Sequence, residues 1–568
     1  MPRLIVENSL FEVFSQTPLT MTNFSFLKKP ISFRNFFWII ILISLPDMVS
    51  LIMSREHLFY DFFLHLALRT CFLLVPVYIF KNHLKIYYWL LIPFIFLSSL
   101  VLSSTLFFKV RMTPEVILAV INTNAREAME LSRGYIIIYL IILMIMVLIY
   151  LYLVVTLPSR LPDRKSLYIS LAAAGAFLLL PLLQKDDESY PEKMKNSLFT
   201  TFPNSFIHDA AKVYQMYREM KSNAEIRSRF QFQASQVNPP GLRQIYILII
   251  GESSRAVQWG INGYYRNTSP KLLKRTNLVS FSNTVAGGYV TEYAVPQIIS
   301  EATPDNFQLQ NREKSIVSAF KEAGFKTYWM SNNLDYGQIQ MHAKEADEYW
   351  FNIDSHPMDM DMVDKELRRV LDKNEHKVFI VIHTIGSHWS YFERYPPSYE
   401  IFKPVVKNIG VRHSDVAKKN FLINSYDNSI LYSDAIVDTV IAMAEKKDAC
   451  STVFFVADHG EDLLDDSLEK FTHGSDPPSK YVARVPLFIW YSDKFNEIFP
   501  EKIKWLRAHK DRKTGTENIF PSMAEMASLE FPSLDTTKSI LSPAFRDSRQ
   551  KILGGDAKVY EYESLLKQ

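Results

Sequence analysis

The sequence predicts an α-helical membrane region of five spans, followed by an exported α/β domain built on a mostly parallel sheet. Three observations carry that reading. The apolar residues of the 568-residue chain gather in its first third, although mean hydropathy is only -0.02. Ile245, Tyr246, Ile247, Leu248, Ile249 and Ile250 form an unbroken apolar run that stops at Gly251 and Glu252, as a strand covered on both faces does. The event recurs where Val453, Phe454, Phe455, Val456 and Ala457 run into Asp458, His459, Gly460 and Glu461.

The first element is a polar tail, 1–34, expected in the cytoplasm. Residues 35–53, 61–80, 86–108, 135–157 and 166–184 are each nearly free of charge and reach the roughly 17 to 25 residues that a spanning helix needs. Lys28, Lys29 and Arg34 precede the first span, Lys81, His83 and Lys85 fill the second loop, and Arg160, Arg164 and Lys165 fill the fourth. Under the positive-inside rule these three clusters lie in the cytoplasm. The loop at 109–134 is mixed, with Lys109, Arg111, Arg126 and Arg133 set among Glu115, Glu127 and Glu130. An odd number of spans then places everything after residue 184 outside. The first apolar run follows a long polar lead, so it reads as a retained anchor rather than a cleaved signal.

The two cysteines, Cys71 in the second span and Cys450 before the second acidic strand end, cannot make a disulfide framework and exclude thiolate zinc fingers. A net charge of +3 argues neither for nor against an acidic partner, and no nucleic acid is expected.

The membrane domain, 35–184, gives way to a connecting region at 185–243. There Phe206, Ala210, Val213, Tyr214 and Tyr217 recur at helical spacing against Asp209, Lys212, Arg218 and Lys221. This amphipathic helix either lies on the membrane surface or packs on the soluble domain. From 244 to 568, helices at 315–323, 362–371 and 428–445 are interleaved with strands at 327–330, 378–382 and 485–490, the alternation of an α/β fold.

Chemistry is expected where the two acidic runs end, because open α/β sheets bind ligands beyond the carboxyl ends of their strands. Glu252, Asp458 and His459 are ligand types suited to a divalent metal, and Gly460 permits the turn that aims an adjacent Asp and His at one ion. Taken singly, an Asp-His pair is commonly incidental, and Glu252 reads also as a surface acid or the neighbour of a helix cap. His383 ends an apolar run and reads as a core residue. His388, beyond Gly386, lies in the loop over the sheet edge, placed to contact a phosphate or protonate a leaving group. His473 is a similar, less specific loop candidate, while His342 and His413 read as surface residues. Ser253, Ser254 and Thr291 are candidate nucleophiles among which nothing local chooses; Ser253 and Ser254 serve equally as caps of a following helix.

Assembled in order, these motifs carry a resemblance. Five spans precede Gly251-Glu252-Ser253-Ser254-Arg255, then Asn262 to Pro270, then His383-Thr384 with Gly386 and His388. Tyr426-Asp427-Asn428 and Ala457-Asp458-His459-Gly460-Glu461 follow. The whole resembles the bacterial phosphoethanolamine transferases that modify lipopolysaccharide, with a sulfatase/alkaline-phosphatase-like catalytic domain. The resemblance implies Thr291 as the nucleophile, since it lies in Tyr289-Val290-Thr291-Glu292-Tyr293-Ala294-Val295-Pro296. It implies Glu252, Thr291, Asp458 and His459 as the zinc set, for one tightly bound Zn2+ with room for a second. His388 and His473 then stand near the substrate phosphate, and Asn333 near the phosphoethanolamine group.

The implied reaction takes phosphoethanolamine from phosphatidylethanolamine, releases diacylglycerol and modifies lipid A or a core sugar. The implied location is the inner membrane, with 244–568 in the periplasm. The cysteines that many relatives carry around the nucleophile are replaced here by Gly287 and Gln297. That absence, and the run Asn122 to Ala128, resemble the core-modifying subgroup. Competing readings are a glycerolphosphate transferase of the lipoteichoic-acid-synthase type, a hydrolase using water as acceptor, and a non-catalytic membrane sensor. The Tyr-Arg-Asn-Thr-Ser-Pro segment and the Asp-His-Gly-Glu sequence favour phosphoethanolamine transfer.

Overall fold

The computed structural model describes residues 34–54, 58–80, 82–108, 136–157 and 190–567, with 334–336, 353–357, 408–415, 466 and 468 excepted and a few isolated positions between 114 and 179 added. It forms two units, 1–99 with 141–203 and 100–140 with 204–568. The N-terminal third is helical: α1 (Arg34–Ser54), α2 (Leu58–Ile79), α3 (Leu84–Leu90), α4 (Ile92–Phe108) and α5 (Ile136–Thr156). By length and composition Leu84–Leu106 and Ile136–Thr156 are long and apolar enough to cross a membrane, and Trp38–Val49 and Phe62–Leu74 are shorter apolar stretches. Four of the expected spans thus coincide with apolar helices. The fifth, 166–184, falls largely outside the described residues, as do most of the 109–134 loop, Asn122 to Ala128 and His413.

Asp47 and Arg69, two charged residues within this apolar region, pair with each other. Arg69 on α2 is buried against Asp47 on α1, and its Nε donates to the Phe202 carbonyl at 2.6 Å. The Phe202 N–H in turn donates to Asp47 Oδ2 at 2.8 Å. A charge away from water is tolerated when a partner and hydrogen bonds offset its desolvation.

Two more helices follow, α6 (Tyr190–Thr200) and α7 (Asn204–Arg229). The second is the predicted amphipathic helix. Its Tyr214 and Tyr217 are 64% and 58% exposed, so only part of its apolar pattern is covered. Its last turn is tied to the soluble domain through Arg227, which pairs with Glu345, lies 2.8 Å from His342 Nδ1 and donates to the Gln310 carbonyl. His342 is therefore buried, not on the surface. A lone histidine in a polar stretch carries no periodic signal, and its contact with Arg227 comes from a distant segment.

The soluble domain is organised by eight strands. They are β1 (Gln244–Gly251), β2 (Leu278–Val285), β3 (Lys326–Ser331), β4 (Glu348–Phe351), β5 (Lys377–His383), β6 (Cys450–Ala457), β7 (Arg484–Tyr491) and β8 (Thr514–Gly515). Their order across the sheet is β8-β2-β7-β6-β1-β5-β3-β4. Five of the seven neighbouring pairs are parallel, and β7 alone runs against the rest. The sheet is therefore mixed around a parallel majority. Composition marks β7 as a strand but is blind to its direction.

β1 alternates between two cores, with Tyr246, Leu248 and Ile250 on one face and Ile245, Ile247 and Ile249 on the other. Its register, Ile250 opposite His383 and Gly251 opposite Ala457, brings the ends of β1, β5 and β6 level. Around the sheet stand α8 (Thr291–Ile299), α9 (Ile316–Glu322) and α10 (Lys419–Glu445). Ser315 caps α9, accepting from the Val317 N–H at 3.3 Å. α10 begins earlier than its apolar pattern suggests. The expected helix at 362–371 is a composite, with a π-helical stretch, Val363–Leu367, between two α-helical turns. β2 escapes the sequence reading because Ser280, Ser282 and Asn283 interrupt its apolar residues.

Candidate active site

Beyond β1 the chain turns at once, and Ser253 adopts a left-handed φ of 53°. Tyr426 on α10 clamps the turn: its hydroxyl donates to the Ser253 carbonyl at 2.6 Å and accepts from the Arg255 N–H at 2.8 Å. The loop after β5 closes over the same point, with the Ser387 N–H donating to the Glu252 carbonyl at 3.0 Å. A Cβ at Gly386, where φ is +47°, would stand 2.8 Å from that carbonyl oxygen, so this approach requires glycine.

Neither serine caps a helix. Ser253 Oγ donates to Glu252 Oε1 at 2.7 Å, and Ser254 Oγ accepts from Trp259 Nε1 at 2.9 Å. The short turn Ala256–Gln258 that follows has no side-chain cap. Both serines are spent on orienting the turn.

Asp458 and His459 leave β6 beside Glu252. Ligand atoms of Glu252, Asp458 and His459 all lie within 4.8 Å of one another. His459 Nε2 is 3.6 Å from Glu252 Oε1 and 3.3 Å from Asp458 Oδ2, and that carboxylate oxygen is buried with no hydrogen-bond partner. Two carboxylates and one imidazole converging around an orphaned buried oxygen fit a divalent cation such as Zn2+. His459 Nδ1 lies 2.8 Å from the Gly460 carbonyl, which can only accept, so Nδ1 carries the proton and Nε2 presents its lone pair to the cluster. Burial, reinforced by His473, brings the His459 imidazole down to about 4 and keeps it neutral at pH 7. Burial pushes the Asp458 carboxyl up to about 6.

Thr291, the first residue of α8, joins this group. Its Oγ1 lies 3.3 Å from Glu252 Oε2 and 3.3 Å from His459 Nε2. Asn333, just past β3, places Nδ2 3.4 Å from Glu252 Oε2, 3.0 Å from the Thr384 carbonyl and 3.1 Å from His383 Nε2. His383 itself is buried, as a core residue should be. The His473 ring is 4.1 Å from that of His459 and 6.2 Å from that of His388, centroid to centroid. His388 Nδ1 lies 2.7 Å from the Trp389 carbonyl, which makes Nε2 its basic nitrogen. The structure thus gathers all seven singled-out residues at one edge of the sheet.

Three further residues, Glu461, Tyr391 and Asp359, shape the site and were given no role of their own by the sequence. Glu461 Oε2 is 2.9 Å from His473 Nδ1, while Tyr391 donates to Glu461 Oε1 at 2.8 Å. Burial pushes the Glu461 carboxyl up to about 7 and the His473 imidazole down to about 4. Asp359 accepts from the Ile385 and Gly386 N–H groups, each at 3.0 Å, and so holds the loop that carries His388. Glu461 is visible in its motif, but its partner is not. Gln297 Nε2 donates to the Gly287 carbonyl at 2.8 Å and the Tyr293 carbonyl at 2.9 Å, and so ties the loop before Thr291.

Residues 244–529 match the sulfatase family model, and the chain belongs to that family. Within it the likeness is to phosphoethanolamine transferases, as the motifs implied. Phosphoethanolamine transferase EptC of Escherichia coli (strain K12) is 23% identical over 508 residues, 84% of this chain and 86% of the relative. Kdo(2)-lipid A phosphoethanolamine 7''-transferase of the same strain is 34% identical over 290 residues, 47% of each chain. Among solved structures, the integral membrane protein lipooligosaccharide phosphoethanolamine transferase A (EptA) from Neisseria meningitidis superposes with a TM-score of 0.67 at 20% identity, over 87% of this chain and 98% of that one. The zinc complex of the periplasmic domain of EcEptC from Escherichia coli does so with a TM-score of 0.53 at 24% identity, over 58% of this chain and 96% of that one.

Proposed function

We propose that this chain transfers phosphoethanolamine from phosphatidylethanolamine to lipopolysaccharide, on lipid A or the core, through a covalent phosphoethanolamine-threonine at Thr291. The observation that carries the reading is the Thr291 hydroxyl, 3.3 Å from both Glu252 and His459 in a cluster of metal-ligand types. Glu252, Thr291, Asp458 and His459 hold Zn2+, a reading supported by the zinc complex of the EptC domain. When bound, the ion supplies positive charge that lowers the hydroxyl pKa and stabilises charge on the phosphoryl oxygens.

In the first step Thr291 Oγ bonds to phosphorus and the phosphorus–oxygen bond to diacylglycerol breaks. The proton released by Thr291 passes through the His388–His473 pair to the departing diacylglycerol oxygen. In the second step an acceptor oxygen attacks the same phosphorus, its proton takes the reverse route, and the Thr291 hydroxyl is restored. Asn333, beside Glu252, orients the phosphoethanolamine group.

The chain sits in the bacterial inner membrane, with 1–34 in the cytoplasm, five spans within 35–184, a connecting region at 185–243 and the catalytic domain 244–568 in the periplasm. The apolar helices and the fold likeness to an integral membrane protein over 87% of the chain support this placement. Mass spectrometry of lipopolysaccharide, split into lipid A and core, from cells with and without the chain tests the function. One added phosphoethanolamine unit in either fraction is the expected result. No change in either, with the protein verified in the membrane, would move the acceptor elsewhere or make water the acceptor.

A further inference from the structure

A cavity of about 290 Å3 in the soluble domain shares no wall residue with the Glu252–Asp458–His459 cluster. Its wall includes Glu517, next to Thr516, whose Oγ1 accepts from the Gly287 N–H at 2.8 Å. It also includes Lys551, at the start of a short strand whose Leu553 N–H donates to the Gly287 carbonyl at 2.8 Å. The cavity therefore borders segments that hold the loop leading to Thr291.

The charges on this wall do not cancel. Lys551 pairs with Asp305 at 2.8 Å, and Asp547 pairs with Arg512 at 2.6 Å. That leaves Lys538, Arg546 and Arg549, which make no ion pair among the described residues. The remaining wall acid, Glu517, accepts from Ser548 Oγ at 2.5 Å through Oε1, while its Oε2 is buried without a hydrogen-bond partner. Burial pushes this carboxyl up, against the Ser548 hydrogen bond and the Lys538 charge. A Cβ at Gly515 would collide with the same carboxyl, so the backbone there leaves it room. Asp535, off the wall, feels the Lys538 and Arg546 charges, but its carboxylate is taken first by the Thr537 hydroxyl and N–H.

Guanidinium and ammonium groups without carboxylate partners are what recognises a doubly charged phosphate, and Arg does so with two parallel N–H donors. Thr303 and Thr537 add hydroxyl oxygens able to accept from sugar hydroxyls, while the Asn518 amide is spent on the Lys538 carbonyl and the Gly515 N–H. The volume lies near the lower end for small-molecule sites, enough for a phosphorylated monosaccharide. We propose that this cavity binds the phosphate of a phosphorylated sugar, as a site separate from the Thr291 cluster. The binding is non-covalent and does not depend on the transfer reaction.

Isothermal titration of the full-length protein in detergent, with inorganic phosphate and with glucose 6-phosphate, compares the native chain with a Lys538→Ala/Arg546→Ala/Arg549→Ala variant. All three side chains are exposed, so the melting temperature is expected to hold. The expected result is glucose 6-phosphate binding weakened at least about tenfold in the variant. An equal loss for inorganic phosphate assigns recognition to the anion alone, and a loss confined to glucose 6-phosphate assigns the sugar as well. Native and variant isotherms that superimpose, whether both bind or neither does, would overturn the proposal. Should the triple variant fold poorly, Arg549→Ala alone is read by the same comparison, with a loss of about threefold expected and superimposed isotherms again decisive against it.

Discussion

His473 Nδ1 lies 2.9 Å from Glu461 Oε2, and the Tyr391 hydroxyl holds the other oxygen of that carboxylate at 2.8 Å. A carboxylate on Nδ1 fixes the tautomer and leaves Nε2 to exchange protons with substrate. Glu461→Gln keeps the shape and removes the charge. It is expected to lower kcat about 10- to 100-fold while the KM for the lipid donor moves much less. A raised KM at unchanged kcat would assign Glu461 to substrate binding instead.

Thr291→Ala is expected to reduce transfer by at least about 10^3-fold, the scale on which loss of a nucleophile registers, with unchanged membrane insertion. Intact-protein mass spectrometry checks the cause: donor lipid adds one phosphoethanolamine to the native chain and none to the variant. Retained transfer by Thr291→Ala would remove the covalent step.

Chelation is expected to lower the melting temperature of the soluble domain, and Zn2+ to restore it. Free ion at a hundred times its Kd stabilises by about 2.7 kcal/mol. Asp458→Asn should erase the zinc-dependent part of the melting temperature. A zinc response that survives in this variant would place the ion elsewhere.

Glu345 couples stability to pH. Burial would raise its carboxyl, but the His342 hydrogen bond, the Arg227 charge and the Ser315 hydroxyl hold it at about 2, against an ordinary 4.5. Between those values the unfolded chain binds a proton at this carboxyl that the folded chain does not, so the contribution of Glu345 is present above pH 4.5 and is lost as pH falls toward 2. The loss is on the order of 3 kcal/mol. Denaturant titrations across this range should show a steeper decline for the native chain than for Glu345→Gln. Parallel declines would mean that the cluster carries no linked proton.

Much of the site was legible because a strand buried on both faces must be apolar, so the place where the run stops is conspicuous. Glu252, Asp458 and His459 were found that way, at the ends of β1 and β6. Thr291 was not: Ser253, Ser254 and Thr291 are equivalent as residue types, and the family resemblance made the choice. In the structure Ser253 is turned to Glu252 and Ser254 to Trp259, while Thr291 alone of the three faces both Glu252 and His459. The Gly287–Gln297 tie, the Tyr426 clamp and the Glu461–His473 pair lie beyond any local pattern.

The sequence by itself determined which segments are apolar enough for membrane or core, where the principal strands lie and which motifs end them. Those properties belong to single segments, through period-2 and period-3.6 burial. Only the tertiary structure decided that β7 runs against its neighbours, that His342 meets Arg227, and that Glu461 faces His473. Each depends on the meeting of groups from different segments, and a hydrogen bond between side chains leaves no periodic trace in either one.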